Sequence, residues 1–257
     1  MDDAELLDVA VEAAHAAADE LLKRFGNTGG IRAKSTPTDL VSDADVAAES
    51  AIRSVLAERR PGDAILGEEG GASGDGDLRW VVDPLDGTVN YLFGIPVFAV
   101  SVACEDADGA RAGVVLDPLR KECFSSTRSG SPSLNGSPLD GVERATELSL
   151  AMVATGFSYD AGVRARQAEA VGRVLPRARD IRRAGSAALD LCWCACGRYD
   201  AFYERGLHAW DVTAGLLIAS RAGLEVRTLA ATDGEPEGVL VAPGEFVEEL
   251  MGLVEGD

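Results

Sequence analysis

Lysine is nearly missing from this chain. Lys23, Lys34 and Lys121 are the only lysines among 24 basic residues, set against 43 acidic ones, for a formal net charge of −19. So acidic a surface offers no basic face to a phosphate backbone, so neither nucleic acid nor an anionic membrane is an expected partner. The acid-rich, lysine-poor balance looks like that of proteins from a high-salt cytoplasm, with an ordinary acidic protein as the alternative. Long apolar runs are absent too, and none approaches the roughly 18 residues of a membrane span. The opening residues Met1–Glu5 are acidic and lack the basic n-region of a secretory signal. Cysteines number five, an odd count that argues against a disulfide framework. Three of them form Cys192-Trp193-Cys194-Ala195-Cys196. That spacing is not the paired C-x₂-C of zinc sites, and the chain has only two His to help. Small buried residues on a core helix is the better reading. These absences together predict a reduced, soluble, cytoplasmic protein.

What is present predicts a mixed α/β domain. At 257 residues and 46% hydrophobic, the chain can bury one large core or two small ones. We expect a single domain over residues 1–257, with sub-regions of about 1–140 and 141–257 sharing a cleft. An Ala-rich amphipathic helix is predicted over Asp2–Phe25 and a second over Ser42–Arg60. Ser42 with Asp45 three residues on makes something close to a capping box, so a purely structural role for Asp45 stays open. Residues 31–41 between these helices read as a polar connector. Lys34 on it is either a mobile residue within reach of an anion or a solvated loop lysine. Strands are expected at Ala64–Leu66 and Trp80–Val82, then an antiparallel meander over 98–104, 111–117 and 121–126. The second half alternates. It offers a strand at Leu148–Ala154, helices at Ala161–Val174 and Ser186–Cys196, and a strand at Ala201–Tyr203. A helix at Trp210–Arg221, a strand at Val239–Ala242 and a helix at Glu245–Val254 close the chain.

The chemistry centres on Trp80-Val81-Val82-Asp83-Pro84-Leu85-Asp86-Gly87-Thr88-Val89-Asn90. A buried strand should end at Asp83-Pro84, because Pro84 brings no N–H to a ladder. Asp86-Gly87 reads as a tight turn with Gly87 at positive φ. Two carboxylates three residues apart at a strand mouth suit a divalent cation that prefers hard oxygen ligands. The N–H groups of Gly87 and Thr88 behind them suit a phosphate if a helix begins there. Cation and phosphate side by side describe metal-assisted phosphoryl chemistry.

Two further clusters gain weight from this stretch. Gly67-Glu68-Glu69-Gly70 places two acids at the end of the preceding strand. His208-Ala209-Trp210-Asp211-Val212-Thr213-Ala214-Gly215 puts Asp211 at a helix start, as an N-cap or as a cation ligand from the distant half. His208 and Glu204 lie just upstream. Arg164, Arg166, Arg182 and Arg183 form either a basic pocket or a set of solvated helix arginines.

These segments, with Asp39-Leu40-Val41-Ser42-Asp43-Ala44-Asp45 and Gly185-Ser186-Ala187-Ala188, resemble the inositol monophosphatase family of magnesium-dependent, lithium-sensitive phosphatases. The order matches from about residue 2 to 254, and W-x-x-D-P-x-D-G-T-x-N with a distant W-D-x-x-A-G is highly specific. The resemblance implies a layered αβαβα sandwich and, commonly, a homodimer. It implies two or three Mg²⁺ ions held by Glu68, Asp83, the Leu85 carbonyl, Asp86 and Asp211. Glu68, Thr88 and Asp45 would be catalytic, with Thr88 and Asp45 orienting the attacking water. Gly87 and Thr88 would bind the phosphate. Ser186, Ala187, Glu204 and His208 would meet the alcohol of the substrate, with Arg183 a further candidate there. Lys34 would lie on a lid and Glu69 near the approach to the metals. The implied reaction is hydrolysis of inositol monophosphate or a similar polyol or sugar phosphate. The alternatives are fructose 1,6-bisphosphatase activity, more distantly a nucleotide 3′-phosphatase, and a non-catalytic binding protein on the same fold. Thr213 stands where the family usually has Ala, and Gly223-Leu224 where it often has Gly-Gly.

Overall fold

The computed structural model describes residues 2–26, 32–33 and 40–256. Lys34, the expected lid residue, lies outside them. Helix α1 (Asp3–Arg24) opens on Asp2, whose carboxylate accepts the Ala4 N–H at 2.8 Å. Strands β1 (Arg32–Ala33) and β2 (Leu40–Val41) pair antiparallel where a bare connector was expected. Helix α2 (Asp43–Arg59) follows, then β3 (Ala64–Gly67), β4 (Gly71–Ser73) and β5 (Arg79–Asp86). A five-residue helix, α3 (Thr88–Leu92), leads to the meander β6 (Ala99–Asp106), β7 (Gly109–Asp117) and β8 (Glu122–Thr127). The hairpin β9 (Ser133–Leu134) and β10 (Ser137–Pro138) turns on Asn135-Gly136, both at positive φ. The second half runs β11 (Met152–Thr155), α4 (Ala161–Val174), β12 (Asp180–Arg182), α5 (Ala187–Ala195) and β13 (Ala201–Arg205). It ends with α6 (Ala209–Arg221), β14 (Glu225–Leu229), β15 (Gly238–Ala242) and α7 (Val247–Glu255).

The strands form an eight-stranded sheet in the order β10-β9-β8-β7-β6-β5-β3-β4 and a five-stranded sheet in the order β12-β11-β13-β15-β14. Side-chain alternation decides what covers each face. Trp80, Val82, Val100, Val102 and Val114 point to one side of the large sheet and pack on α1 and α2 through Leu6, Ala13, Leu21, Ile52 and Leu56. Ala99, Ala103, Val115 and Phe124 point the other way, onto α5 and α6 through Leu189, Cys192, Ala214 and Ile218. The opposite sides of α5 and α6 carry Leu191, Cys194 and Ala219 onto Ala154, Phe202 and Val241 of the small sheet. Val153, Ala201, Tyr203 and Leu240 face outward from that sheet onto α4 and α7. The layers are therefore α1/α2, large sheet, α5/α6, small sheet and α4/α7, the expected αβαβα sandwich. Burying each of these large apolar side chains contributes about 1.5–3 kcal/mol before the entropy of ordering the chain is subtracted.

The middle helical layer explains two small residues. A Cβ on Gly113 would lie 3.0 Å from the Ala214 Cα, and one on Gly215 would lie 2.7 Å from the Leu191 side chain. Ala214-Gly215 thus lets α6 approach both β7 and α5. Thr213, the departure from the usual Ala, returns its hydroxyl to the Ala209 carbonyl at 2.7 Å. The cysteine run lies on α5 and its continuation, with Cys192 and Cys194 fully buried and all three thiols free.

Several local expectations need correction. The strand expected to stop at Asp83-Pro84 runs on to Asp86, because Pro84 falls where the β5–β6 register shifts and no ladder N–H is required of it. Residues 148–150 form a 3₁₀ turn rather than strand. β4, β12 and β14 were not expected, and each is an edge strand with few buried residues, so it carries little alternation to read. Asp211 is not the N-cap of α6. His208 holds that position and Asp211 lies three residues inside. Among the described residues no helix is long and apolar enough to cross a membrane.

Candidate active site

The β5–β6 register shifts between Asp83 and Asp86, at the end of β5 where the site's carboxylates lie. Asp83 is 2% exposed and accepts the Leu85 N–H at 2.9 Å. Asp86 accepts the Ser186 hydroxyl at 2.6 Å and the Ala188 N–H at 2.7 Å, which ties β5 to the start of α5 across the two halves. Gly87 then turns the chain at φ 95°. A Cβ there would sit 3.0 Å from the Val97 carbonyl oxygen and 3.2 Å from that of Gly185, so only glycine fits both the space and the dihedral. Asn90 completes the junction, its Nδ2 donating to the carbonyls of Val97 and Ala184 at 2.8 and 2.9 Å.

These residues open onto a cavity of about 450 Å³. It is lined by Glu68, Asp83 and residues 85–88 from the large-sheet side, and by residues 156–160, Arg183, Gly185, Ala187, residues 204–208, Trp210 and Asp211 from the other. Of the residues singled out in the sequence, Glu68, Asp83, Leu85, Asp86, Gly87, Thr88, Arg183, Ala187, Glu204, His208 and Asp211 all line it. Asp45 stands directly behind. Its Oδ2 accepts the Ser42 N–H at 2.9 Å and the Ser42 hydroxyl at 2.6 Å, while its Oδ1 lies 3.1 Å from the Thr88 hydroxyl. The capping role and the Thr88 contact therefore coexist in one carboxylate.

Other residues are placed differently. Ser186 is 1% exposed and commits its hydroxyl to Asp86, so it touches the cavity only through that acid. Of the four arginines only Arg183 lines the cavity. Arg164 donates to the Ser158 carbonyl, Arg166 to that of Asp233, and Arg182 pairs with Asp180. His208 stacks on Trp210 with ring centroids 4.7 Å apart.

Negative charge dominates the cavity. Burial pushes Asp83 well above the usual carboxylate range, and the charges of Glu68, Asp86 and Asp211 push it further. Asp86 rises to about 6 through burial, opposed by its bonds from Ser186 and Ala188. Asp211 rises to about 8 through burial and the charge of Asp86, although the His208 N–H bonds its Oδ2 at 2.6 Å. Glu204 also rises to about 8, through burial and the charge of Asp86, with Arg183 opposing. Arg205, the other arginine of the lining, gives its guanidinium to the carbonyls of Ala230 and Pro236 and to Glu235 instead. Among the described residues no three acidic, His or Cys side chains stand preset as an ion-binding group. The donor set still fits a hard divalent cation: four carboxylates facing one another with all-oxygen donors and little basic charge beside them.

Sequence reasoning passed over Asp190. It is 1% exposed, its Oδ1 has no hydrogen-bond partner, and burial with the charges of Glu204 and Asp86 raises it well above the usual range. The available signal was that Asp190 is the one charged residue of α5. It also missed the 156–160 rim. A Cβ on Gly156 would overlap the Glu204 carboxylate, so glycine is what admits Glu204 to the cavity.

These shifts fix the sign of a pH effect. A carboxylate whose folded pKa exceeds its unfolded one keeps protons that the unfolded chain releases, so stability falls as pH rises. For Asp86 the loss runs between 3.8 and about 6, and for Asp211 between 3.8 and about 8. Glu204 adds a loss between 4.5 and about 8. The melting temperature of EDTA-treated protein is therefore expected to fall steadily from about pH 5 to about pH 8. A flat or rising profile by differential scanning calorimetry would show that these acids are ionised without penalty.

A family model described as inositol monophosphatase family matches residues 2–255. Over 238 residues the chain is 43% identical to the inositol-1-monophosphatase of Mycobacterium bovis, covering 88% of this chain and 82% of the relative. It is 41% identical over 219 residues to the Nus factor SuhB of Xylella fastidiosa, covering 84% of this chain and 79% of the relative. The solved structure of extragenic suppressor protein suhB from Bartonella henselae superposes with a TM-score of 0.88 at 32% identity, covering 97% of this chain and 98% of that one.

Proposed function

The chain belongs to the inositol monophosphatase family, and on that ground we propose that it hydrolyses a small phosphomonoester, an inositol monophosphate or a similar polyol or sugar phosphate, with Mg²⁺. The observation that carries this reading is the convergence of Glu68, Asp83, Asp86 and Asp211 on one cavity with the Asp45–Thr88 pair behind them. Glu68, Asp83, Asp86, Asp211 and the Leu85 carbonyl would hold two or three ions. Bound there, the ions would neutralise phosphate charge, acidify a water and stabilise the leaving alkoxide. The Thr88 hydroxyl has one proton and two acceptors in reach, Asp45 Oδ1 at 3.1 Å and the Leu85 carbonyl at 3.0 Å. Donating to either leaves its lone pairs to accept a proton from water, which orients that water for in-line attack. The Gly87 and Thr88 N–H groups would hold phosphate oxygens. No nucleophilic side chain is needed.

Substrate choice falls to the opposite wall, because every candidate shares the phosphate. Glu204 and His208 would meet polyol hydroxyls, and Arg183 would meet a second phosphate in a bisphosphate. A panel of phosphomonoesters and fructose 1,6-bisphosphate, assayed at low and high KCl, separates these. With an inositol phosphate as substrate, Glu204→Gln is expected to raise KM more than it lowers kcat. With the bisphosphate, Arg183→Ala does the greater damage, by about 1.5–3 kcal/mol for a lost charged hydrogen bond. If both variants match the parent on every ester, the alcohol pocket lies elsewhere. The KCl arms test the salt dependence suggested by the net charge of −19, since roughly 1 M salt screens charges beyond about 3 Å. The same reading includes a cytoplasmic protein without nucleic-acid partner and a homodimer, for which exposed Phe93 and Ile95 offer apolar surface.

A further inference from the structure

The glycines around Glu68-Glu69 have a partner. Glu49, on α2, is 2% exposed, and its carboxylate reaches the turn between β3 and β4. Oε2 accepts the Glu69 N–H at 2.7 Å, and Oε1 accepts the Gly70 N–H at 2.8 Å. Arg53, one helical turn on, donates its Nε to Glu49 Oε1 at 2.7 Å and clasps the far side of the turn. Its other nitrogens reach the Gly71 carbonyl at 2.7 Å and the Ser73 hydroxyl at 2.9 Å. A Cβ on Gly67 would lie 2.5 Å from Glu49 Oε1, and one on Gly70 would lie 2.6 Å from it. The Gly-Glu-Glu-Gly sequence is thus shaped to seat a buried carboxylate against its backbone. A buried carboxylate is costly to hold unless it is paired and hydrogen-bonded, and here both its oxygens are engaged.

Glu49 also stands four residues after Asp45, on the same face of α2. One helix face therefore holds two parts of the site about one helical turn, roughly 6 Å, apart. Asp45 holds the Thr88 hydroxyl, and Glu49 holds the turn that carries Glu68 to the cavity. We propose that Glu49 is a positioning residue for the metal centre, fixing Glu68 through the Glu69 and Gly70 N–H groups at a set distance from the Asp45–Thr88 pair. Glu49 itself does not line the cavity. Its role is to keep Glu68 from swinging away from an incoming ion. This inference rests on the metal-dependent reading above.

Two substitutions test it on EDTA-stripped protein, with Mg²⁺ and Mn²⁺ binding followed by calorimetry. Glu49→Gln keeps the shape but turns an amide NH₂ toward donors. Gly70→Ala leaves every acid in place and drives a methyl into the Glu49 carboxylate. The expected result is a dissociation constant for the ions raised about 10–100-fold in both, the usual effect of losing an outer partner of a ligand. If Glu49→Gln fails to fold, Gly70→Ala decides alone. Unchanged ion affinity in the variants, with a lowered melting temperature in EDTA, would overturn the inference and leave Glu49 as a fold-holding residue. A parent protein that binds neither ion would instead remove the metal-dependent reading, and this inference with it.

Discussion

Asp83→Asn is expected to lower kcat by on the order of 10³-fold or more while the metal-free protein melts at or above the parent temperature. The two halves of that result have one cause. Asp83 is the most enclosed of the cavity acids, 2% exposed, with the charges of Glu68, Asp86 and Asp211 all acting on it. Its raised folded pKa means that putting a charge on Asp83 costs the folded state free energy. An amide removes that charge and keeps the oxygen that accepts the Leu85 N–H at 2.9 Å. What it loses is an anionic oxygen facing a cation. Phosphate release and calorimetry on the same preparation check both halves. Turnover near that of the parent would remove Asp83 from the metal set. A collapse in melting temperature would show that its carboxylate supports the fold.

The second large effect is expected at Asp45. Asp45→Asn should lower kcat about 10²–10³-fold with little change in KM, the scale of losing proton transfer or water orientation. Its Oδ2 takes two donors from Ser42, and its Oδ1 faces the Thr88 hydroxyl. An amide can satisfy one side only. If its oxygen stays with Ser42, its NH₂ faces Thr88. The hydroxyl proton is then turned to the Leu85 carbonyl, and one of the two lone pairs that could orient the water is occupied by the amide. Thr88→Ala removes the same contact without touching the Ser42 cap, so the two variants should agree in kcat. Asp45 is fully buried and the N-terminal cap of α2 depends on it, so a stability loss of about 1 kcal/mol accompanies Asp45→Asn and not Thr88→Ala. If Thr88→Ala turns over like the parent, Asp45 only caps the helix.

Much of this site was legible because its signals are local. Asp-Pro-x-Asp-Gly-Thr combines a strand mouth, a positive-φ glycine and two acids within six residues, and each has a short-range physical meaning. The helix over Ala161–Val174 was bounded correctly for a similar reason: Asp160 caps its first turn and its apolar spacing is regular. What escaped depends on contacts across the chain. Proline should have ended β5, but the register shift against β6 absorbs it, and a register is a property of two strands. Ser186 looked available to a substrate until α5 was set against β5, where its hydroxyl meets Asp86 from 100 residues away. Glu49 read as an ordinary helix acid. Arg53 serves it from the same helix, and only the docking of the β3–β4 turn on α2 adds the two backbone donors. Asp190 was hidden by its own helix, whose apolar composition announced a core.

The central claim is that ions held by these carboxylates make the protein a phosphomonoesterase. Its most direct test is the release of inorganic phosphate from inositol 1-phosphate and the ester panel by one preparation, measured as purified with Mg²⁺, after EDTA, and after Mg²⁺ is restored. The account predicts release from at least one ester, loss of it with EDTA and recovery with Mg²⁺. Release that persists undiminished in EDTA, or no release from any ester at saturating Mg²⁺, would contradict it.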